Sequence, residues 1–170
     1  MTMIHPTSEP IPHELRNAKG TNRIQINNNL TAVSLVILSL LLMSERLFIG
    51  VAAICQLALS IPLLATSSLA YAKSCYRNPE EYRKWDHFAW LTHSLGYLLI
   101  LNSFTLILLR SPYHIVGWLF FSVNFLLHIS YSVINVWCKP ARITKTIVKM
   151  LIYTCIIVAG TIMPIEFGSV

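Results

Sequence analysis

Charged residues are scarce in this sequence and nearly absent from its apolar stretches. Only 12% of the 170 residues are charged, about half the fraction that is usual for a soluble domain. No acidic residue lies within the five long apolar stretches described below, and the one basic residue there, Lys149, stands near an edge. Proton pumps and cation-coupled transporters usually carry an ionised group inside the membrane, so the sequence argues against a secondary transporter.

Sequence motifs for catalysis and metal binding are also missing. The four cysteines, Cys55, Cys75, Cys138 and Cys155, do not have the spacing of a metal site, and we predict no disulfide. No glycine-rich phosphate-binding loop is present, and no serine in the apolar stretches has a histidine and a carboxylate as neighbours. The sequence therefore favours a non-enzymatic protein without excluding an enzyme, and it predicts no metal site.

Long apolar blocks dominate what the sequence does contain. Apolar residues make up 55% of the chain, and they gather in blocks close to the roughly 20 residues that a membrane-spanning helix requires. Such lengths favour helices over the shorter, alternating strands of a barrel. The predicted fold class is all-α, a polytopic integral membrane protein with a bundle of five transmembrane helices. The predicted spans are residues 28–44, 47–71, 87–109, 115–137 and 147–165, although the first two also fit a single re-entrant hairpin.

The distribution of lysine and arginine predicts the orientation of the chain. Three basic residues lie in the N-terminal tail, four in the loop after the second span, and four after the fourth span when Lys149 at the edge of the fifth span is included. The other two loops hold only Arg46 and Arg110. Because basic residues accumulate on the cytoplasmic side, we predict a mobile cytoplasmic tail over residues 1–26 and a transmembrane domain over residues 27–166, with the C-terminus outside. The net charge of +6 is then a topological signal, and no nucleic-acid partner is expected.

Polar residues within the predicted spans are the candidate functional residues. On the fourth helix, five of them recur at spacings of three or four and therefore share one face; they are Asn124, His128, Tyr131, Ser132 and Asn135. The second helix contributes Gln56. On the third helix, His93 and Asn102 point to opposite sides, because nine residues at about 100° each end half a turn away. We therefore predict that the third helix lies at the centre of the bundle.

Three hypotheses account for these polar residues. In the first, they form hydrogen bonds between the helices of a compact bundle, as in an accessory subunit, a homo-oligomer or a component of a larger membrane complex. In the second, they line a channel-like pathway or a ligand cavity. In the third, His93 and His128 are the axial ligands of a b-type haem in an electron-transfer protein. The lipid bilayer is the expected environment in all three, and the sequence indicates no other cofactor.

Overall fold

Five α-helices follow one another along the chain in the computed structural model, which describes residues 13–43, 50–112, 114–138 and 143–166. They are α1 (His13–Met43), α2 (Val51–Cys75), α3 (Pro79–Arg110), α4 (His114–Cys138) and α5 (Ile143–Glu166). The described residues contain no strand. The all-α prediction is therefore confirmed for this part of the chain.

Each helix contains a segment that is long and apolar enough to cross a membrane. These segments are Asn17–Met43, Val51–Cys75, Glu80–Arg110, His114–Trp137 and Thr146–Glu166. All five overlap the spans predicted from the sequence. The first and second are each long enough for a separate crossing, so their lengths do not require a shared re-entrant hairpin. The architecture is compatible with a multi-pass membrane protein.

α1 begins well before the first predicted span. Its described residues start at His13, so residues 13–26 are helical, although the sequence pattern places them in the tail. Gly20 is buried against α2, and a Cβ added there would lie 2.6 Å from the sulfur of Cys75. This contact explains the extension, because tertiary packing rather than intrinsic propensity stabilises most helical turns in proteins. Residues 1–12 of the predicted mobile tail lie outside the described residues.

α3 lies at the centre of the bundle and packs against all four other helices. It begins at Pro79, whose missing N–H is tolerated in a first turn, and Glu80 and Glu81 place negative charge at the positive end of the helix. In the most apolar 18-residue window of α3, 44% of the residues are buried, the largest share among the five helices, whereas the share in the corresponding window of α4 is only 6%. The central position agrees with the expectation that polar groups on α3 point to two sides.

Small residues allow α2 and α3 to pack closely as antiparallel neighbours. Buried small residues recur every seven positions on both helices, and they are Ala53, Ser60, Ser67 and Ser74 on α2 and Ala89, Gly96 and Ser103 on α3. The Ser67 hydroxyl donates to the Ala89 carbonyl oxygen at 2.7 Å, and the Ser103 hydroxyl donates to the Ala53 carbonyl oxygen at 2.8 Å. Close approach and side chain to backbone hydrogen bonds are the main attractive contacts available between apolar helices in lipid.

The remaining helices pack around this pair. Leu57, Leu64 and Ile100 form a buried apolar cluster between α2 and α3, and α1 covers it with Leu30, Ile37, Leu38 and Leu41. α4 and α5 pack against α3 and against each other. The polar residues of α3 therefore have α1 and α2 as neighbours in one direction and α4 and α5 in the other.

Candidate functional site

A buried polar cluster joins α2, α3 and α5. The side-chain amide of Gln56 on α2 donates from Nε2 to the carbonyl oxygen of Gly160 on α5, at 2.7 Å. In a regular helix this carbonyl would accept from the N–H four residues later, but that residue is Pro164, which has no N–H. Gln56 therefore supplies the donor that the proline removes from the helix. A buried backbone carbonyl without a donor is unfavourable, so this bond stabilises both α5 and its contact with α2.

Asn102 makes the corresponding contact from α3. Its Nδ2 donates to the Ile156 carbonyl oxygen at 3.1 Å, and its Oδ1 accepts from the Thr161 hydroxyl at 3.5 Å, the limit of a hydrogen bond. Gly160 makes this approach possible, because a Cβ there would collide with the amide nitrogen of Asn102. Asn102 and Thr161 are both almost fully buried. The predicted site residues Gln56 and Asn102 thus belong to one cluster, which we call the amide cluster, together with Gly160 and Thr161.

His93 belongs to a second polar group, between α1 and α3. One of its ring nitrogens, Nδ1, lies 2.6 Å from Oδ1 of Asn27, and the two atoms form a hydrogen bond in which the ring is the donor. Asn27 is fully buried, and its Nδ2 has no hydrogen-bond partner. Tyr97 stacks on the His93 ring one turn further along α3. The His93–Asn27 contact therefore holds α1 against the central helix.

A charged group lies close by, at the same end of α1, α2 and α3. Arg23 donates from Nη1 to the hydroxyl of the buried Tyr71 at 2.6 Å and lies over its ring, with the guanidinium carbon 5.0 Å from the centroid. Asp86 on α3 pairs with Arg23 at 3.7 Å and with Lys19 at 3.3 Å. These ion pairs are partly exposed and contribute modestly to stability. The bond to Tyr71 matters more, because it satisfies a buried hydroxyl.

His128 faces α5 and, like Gln56 with its Oε1, has a buried polar atom without a hydrogen-bond partner. Its ring meets the ring of Tyr153 edge-on, with the centroids 5.6 Å apart. Tyr153 in turn contacts Trp90 on α3, and Lys149 lies 4.1 Å above the Trp90 ring. The Nε2 atom of His128 is buried without a hydrogen-bond partner. The histidine therefore belongs to an aromatic contact among α3, α4 and α5.

The other polar residues of α4 do not form one buried face. Ser132 is buried but donates to the His128 carbonyl oxygen of its own helix at 2.9 Å. Asn135 donates to the Tyr131 carbonyl oxygen at 3.1 Å, again within α4. Tyr131 is exposed on the outside of the bundle, and Asn124 is partly exposed. These four residues share a face by periodicity, but the structure does not bring them together with Gln56 and Asn102.

The two histidines proposed as haem ligands contact different helices. His93 hydrogen-bonds to Asn27 on α1, whereas His128 packs against Tyr153 on α5. A bis-histidine haem requires both imidazoles to approach one iron from opposite sides. The described contacts of these rings do not form such a cavity, so they give the haem hypothesis no support.

Several residues of these polar groups were not among the sequence-based candidates. Asn27 and Arg23 fall before or at the edge of the first apolar block, where polar residues are expected to be solvated. Gly160 has no polar side chain, and the signal that could have revealed it is Pro164, which removes the donor for its carbonyl. The seven-residue repeat of small residues on α2 and α3 could likewise have revealed Ser67 and Ser103.

Comparisons with protein-family models, with curated proteins and with solved structures find no match for this chain.

Proposed function

We propose that this chain is a small, non-enzymatic multi-pass membrane protein that acts as an accessory subunit, with its N-terminus in the cytoplasm and its C-terminus outside. The observation that carries this proposal is the use of its interior polar groups. Gln56, Asn102, Ser67 and Ser103 all donate to backbone carbonyls of a neighbouring helix. The interior then serves to join helices, and binding to other molecules takes place on the outer surface.

The partners of these donors favour helix joining over a channel-like pathway. Groups that line a pathway keep donors and acceptors free for water or ions. In the amide cluster, the donors Nε2 of Gln56 and Nδ2 of Asn102 are instead directed at the Gly160 and Ile156 carbonyl oxygens, although the Oε1 acceptor of Gln56 has no partner. Hydrogen bonds of this kind between transmembrane helices contribute about 0.6 kcal/mol on average and up to about 1.7 kcal/mol. Several such bonds are enough to fix the helix register.

The outer surface of α4 supports a role in assembly. Only 6% of the residues in its most apolar 18-residue window are buried within the bundle. Large exposed side chains on this helix include Leu119, Val123, Leu126, Leu127 and Ile134. Tyr131 lies among them and is exposed as well, although a hydroxyl facing lipid lacks the partners that a protein surface would supply. We propose that α4 contacts another protein or a second copy of this chain.

Photo-cross-linking in host membranes tests this role. A cross-linker at Leu127 on α4, which is 63% exposed, should give an adduct of defined protein mass. The matched control is Leu69 on α2, which is 73% exposed and should give lipid adducts alone. Lipid adducts alone at both positions would contradict the accessory role. Solute flux through the purified protein in liposomes, abolished by Asn102→Leu, would instead establish a pathway.

Cysteine labelling tests the proposed orientation. In a variant without the four native cysteines, Asn78→Cys in the connection from α2 to α3 should be protected from a membrane-impermeant maleimide in intact cells. Pro112→Cys, in the connection from α3 to α4, should be labelled, because the basic residues predict that the two connections lie on opposite sides. Both native residues are exposed, so accessibility within the protein does not separate them. The reverse labelling pattern would overturn the orientation.

A further inference from the structure

An apolar groove lies on the outside of the bundle between α4 and α5. It has a volume of about 350 Å³, is open along one side and is lined by Ser132, Val133, Val136, Trp137 and Met150. Its volume is at the lower end of the roughly 300–1,000 Å³ that is usual for ligand sites. Its exposed wall is apolar, so an occupant must place a hydrocarbon segment there. An acyl chain has this shape and chemistry.

The end of α5 beside this groove carries two basic residues, and the surrounding sequence holds no acidic residue. Lys145 and Lys149 fall within the first two turns of α5, and Met150 of the groove wall follows directly. No acidic residue occurs anywhere between His87 and Ile165. The N-terminus of a helix adds a further partial positive charge. Residues 87–165 therefore supply no acidic side chain to balance the positive charge at this end of the groove.

Several basic residues elsewhere in the described part of the chain have acidic partners, in contrast to Lys149. Lys19 and Arg23 pair with Asp86, and Arg77 pairs with Glu81. The exposed Lys149 lies instead over the face of Trp90, a contact that leaves its N–H donors able to reach an anion. A zwitterionic headgroup would bring its own positive charge to this end of α5. An anionic headgroup matches it better.

We propose that the groove binds an anionic phospholipid, with an acyl chain along Val133 and Val136 and the phosphate at the end of α5 that carries Lys145 and Lys149. Trp137 fits this arrangement. It lines the groove, is 85% exposed and ends the apolar segment of α4, where an indole ring is expected at headgroup level. The site is independent of the proposed accessory role and requires only that the helices lie in a bilayer.

Quenching of tryptophan fluorescence by lipids with brominated acyl chains tests the site. The full chain is reconstituted in mixtures of phosphatidylglycerol and phosphatidylcholine in which only one of the two is brominated. The contribution of Trp137 is obtained by comparison with Trp137→Phe. That of Trp118, at the other end of α4 and 46% exposed, is obtained in the same way as a control. Relative binding constants for the two lipids follow from the extent of quenching at each tryptophan.

We expect Trp137 to be quenched preferentially by the anionic lipid, and Trp118 by both lipids equally. Each of Lys145→Gln and Lys149→Gln should lower the preference at Trp137 by about three- to fivefold, the effect of removing one basic residue near an anionic surface. Val136→Phe should reduce quenching of Trp137 by both lipids, because it fills the groove.

Other results would overturn the proposal. Equal preference at the two tryptophans would mean that the groove holds only bulk lipid. A preference that survives both lysine substitutions would mean that these residues do not recognise the headgroup. Absence of quenching at both tryptophans by either lipid would contradict the location of the helices in a bilayer as well. This outcome distinguishes failure of the lipid site alone from failure of the proposal that the chain is a membrane protein.

Discussion

Replacement of Gly160 by alanine is expected to lower the free energy of unfolding by about 2 kcal/mol. The added Cβ would collide with Nδ2 of Asn102, the atom that donates to the Ile156 carbonyl oxygen. Overpacking typically costs about 1–3 kcal/mol, and loss of the hydrogen bond about 1 kcal/mol more. Alanine recovers up to about 1 kcal/mol through its better helix propensity. Unfolding by sodium dodecyl sulfate in mixed micelles, followed by circular dichroism, measures the difference.

A double-mutant cycle with Asn102→Ala separates this collision from a general effect on α5. With the asparagine side chain removed, Gly160→Ala should be neutral or slightly stabilising, because the space is then free. The neighbouring Ala159 is exposed, and Ala159→Leu should change stability by less than about 0.5 kcal/mol. An equal loss from Gly160→Ala in the presence and absence of Asn102 would show that the amide cluster does not determine the fit of α5.

The helices of this protein could be predicted because their signals are local. Blocks of apolar residues predicted five helices, and the structure has five in the residues that it describes. The opposite directions of His93 and Asn102 followed from helical periodicity alone, and the structure places their partners on α1 and α5. A short helix from His13 to Lys19 was possible from the sequence, but its continuation without a break into the first span was not predicted, because it depends on packing against α2.

The partners of the polar residues could not be predicted in the same way. Gln56 and Asn102 stood out as polar residues in apolar blocks, but their acceptors are backbone carbonyls, which every residue carries. The sequence therefore gives little sign of which carbonyl is used. Gly160 is the exception, because Pro164 lies four residues later, where a helix normally supplies the N–H donor for this carbonyl. A proline inside an apolar helix thus identifies a carbonyl that needs a donor from another helix.

The polar face of α4 shows a further limit of periodicity. Spacings of three and four correctly place residues on one side of a helix, but they do not say which neighbour covers that side. α4 packs lightly against the bundle, so His128 reaches α5 while Tyr131 remains exposed. Ser132 and Asn135 bond to their own helix, which a polar side chain can do at any depth. The same light packing leaves the outer surface on which both the proposed accessory role and the proposed lipid site depend.

Substitution of Gln56 by leucine is expected to lower the free energy of unfolding by about 1.5 kcal/mol, near the upper end for hydrogen bonds between helices in lipid. The substitution keeps the size of the side chain but removes the donor that reaches the Gly160 carbonyl oxygen at 2.7 Å. This carbonyl cannot turn to its own helix, because Pro164 has no N–H. The loss should be visible in the same mixed-micelle unfolding measurement.

Pro164→Ala should rescue the Gln56→Leu variant, because alanine returns an N–H to the position four residues after Gly160. In that background Gln56→Leu should cost less than about 0.5 kcal/mol, since the carbonyl then has a donor within α5. Pro62→Ala in α2 is the matched control: it restores a donor for the carbonyl of Ala58, not for that of Gly160, and should leave the loss unchanged. Rescue by both alanines would indicate a general gain from removing proline. Rescue by Pro164→Ala alone would show that Gln56 acts as the external donor to a proline-interrupted helix, which is the role that the interior polar groups have in the proposed function.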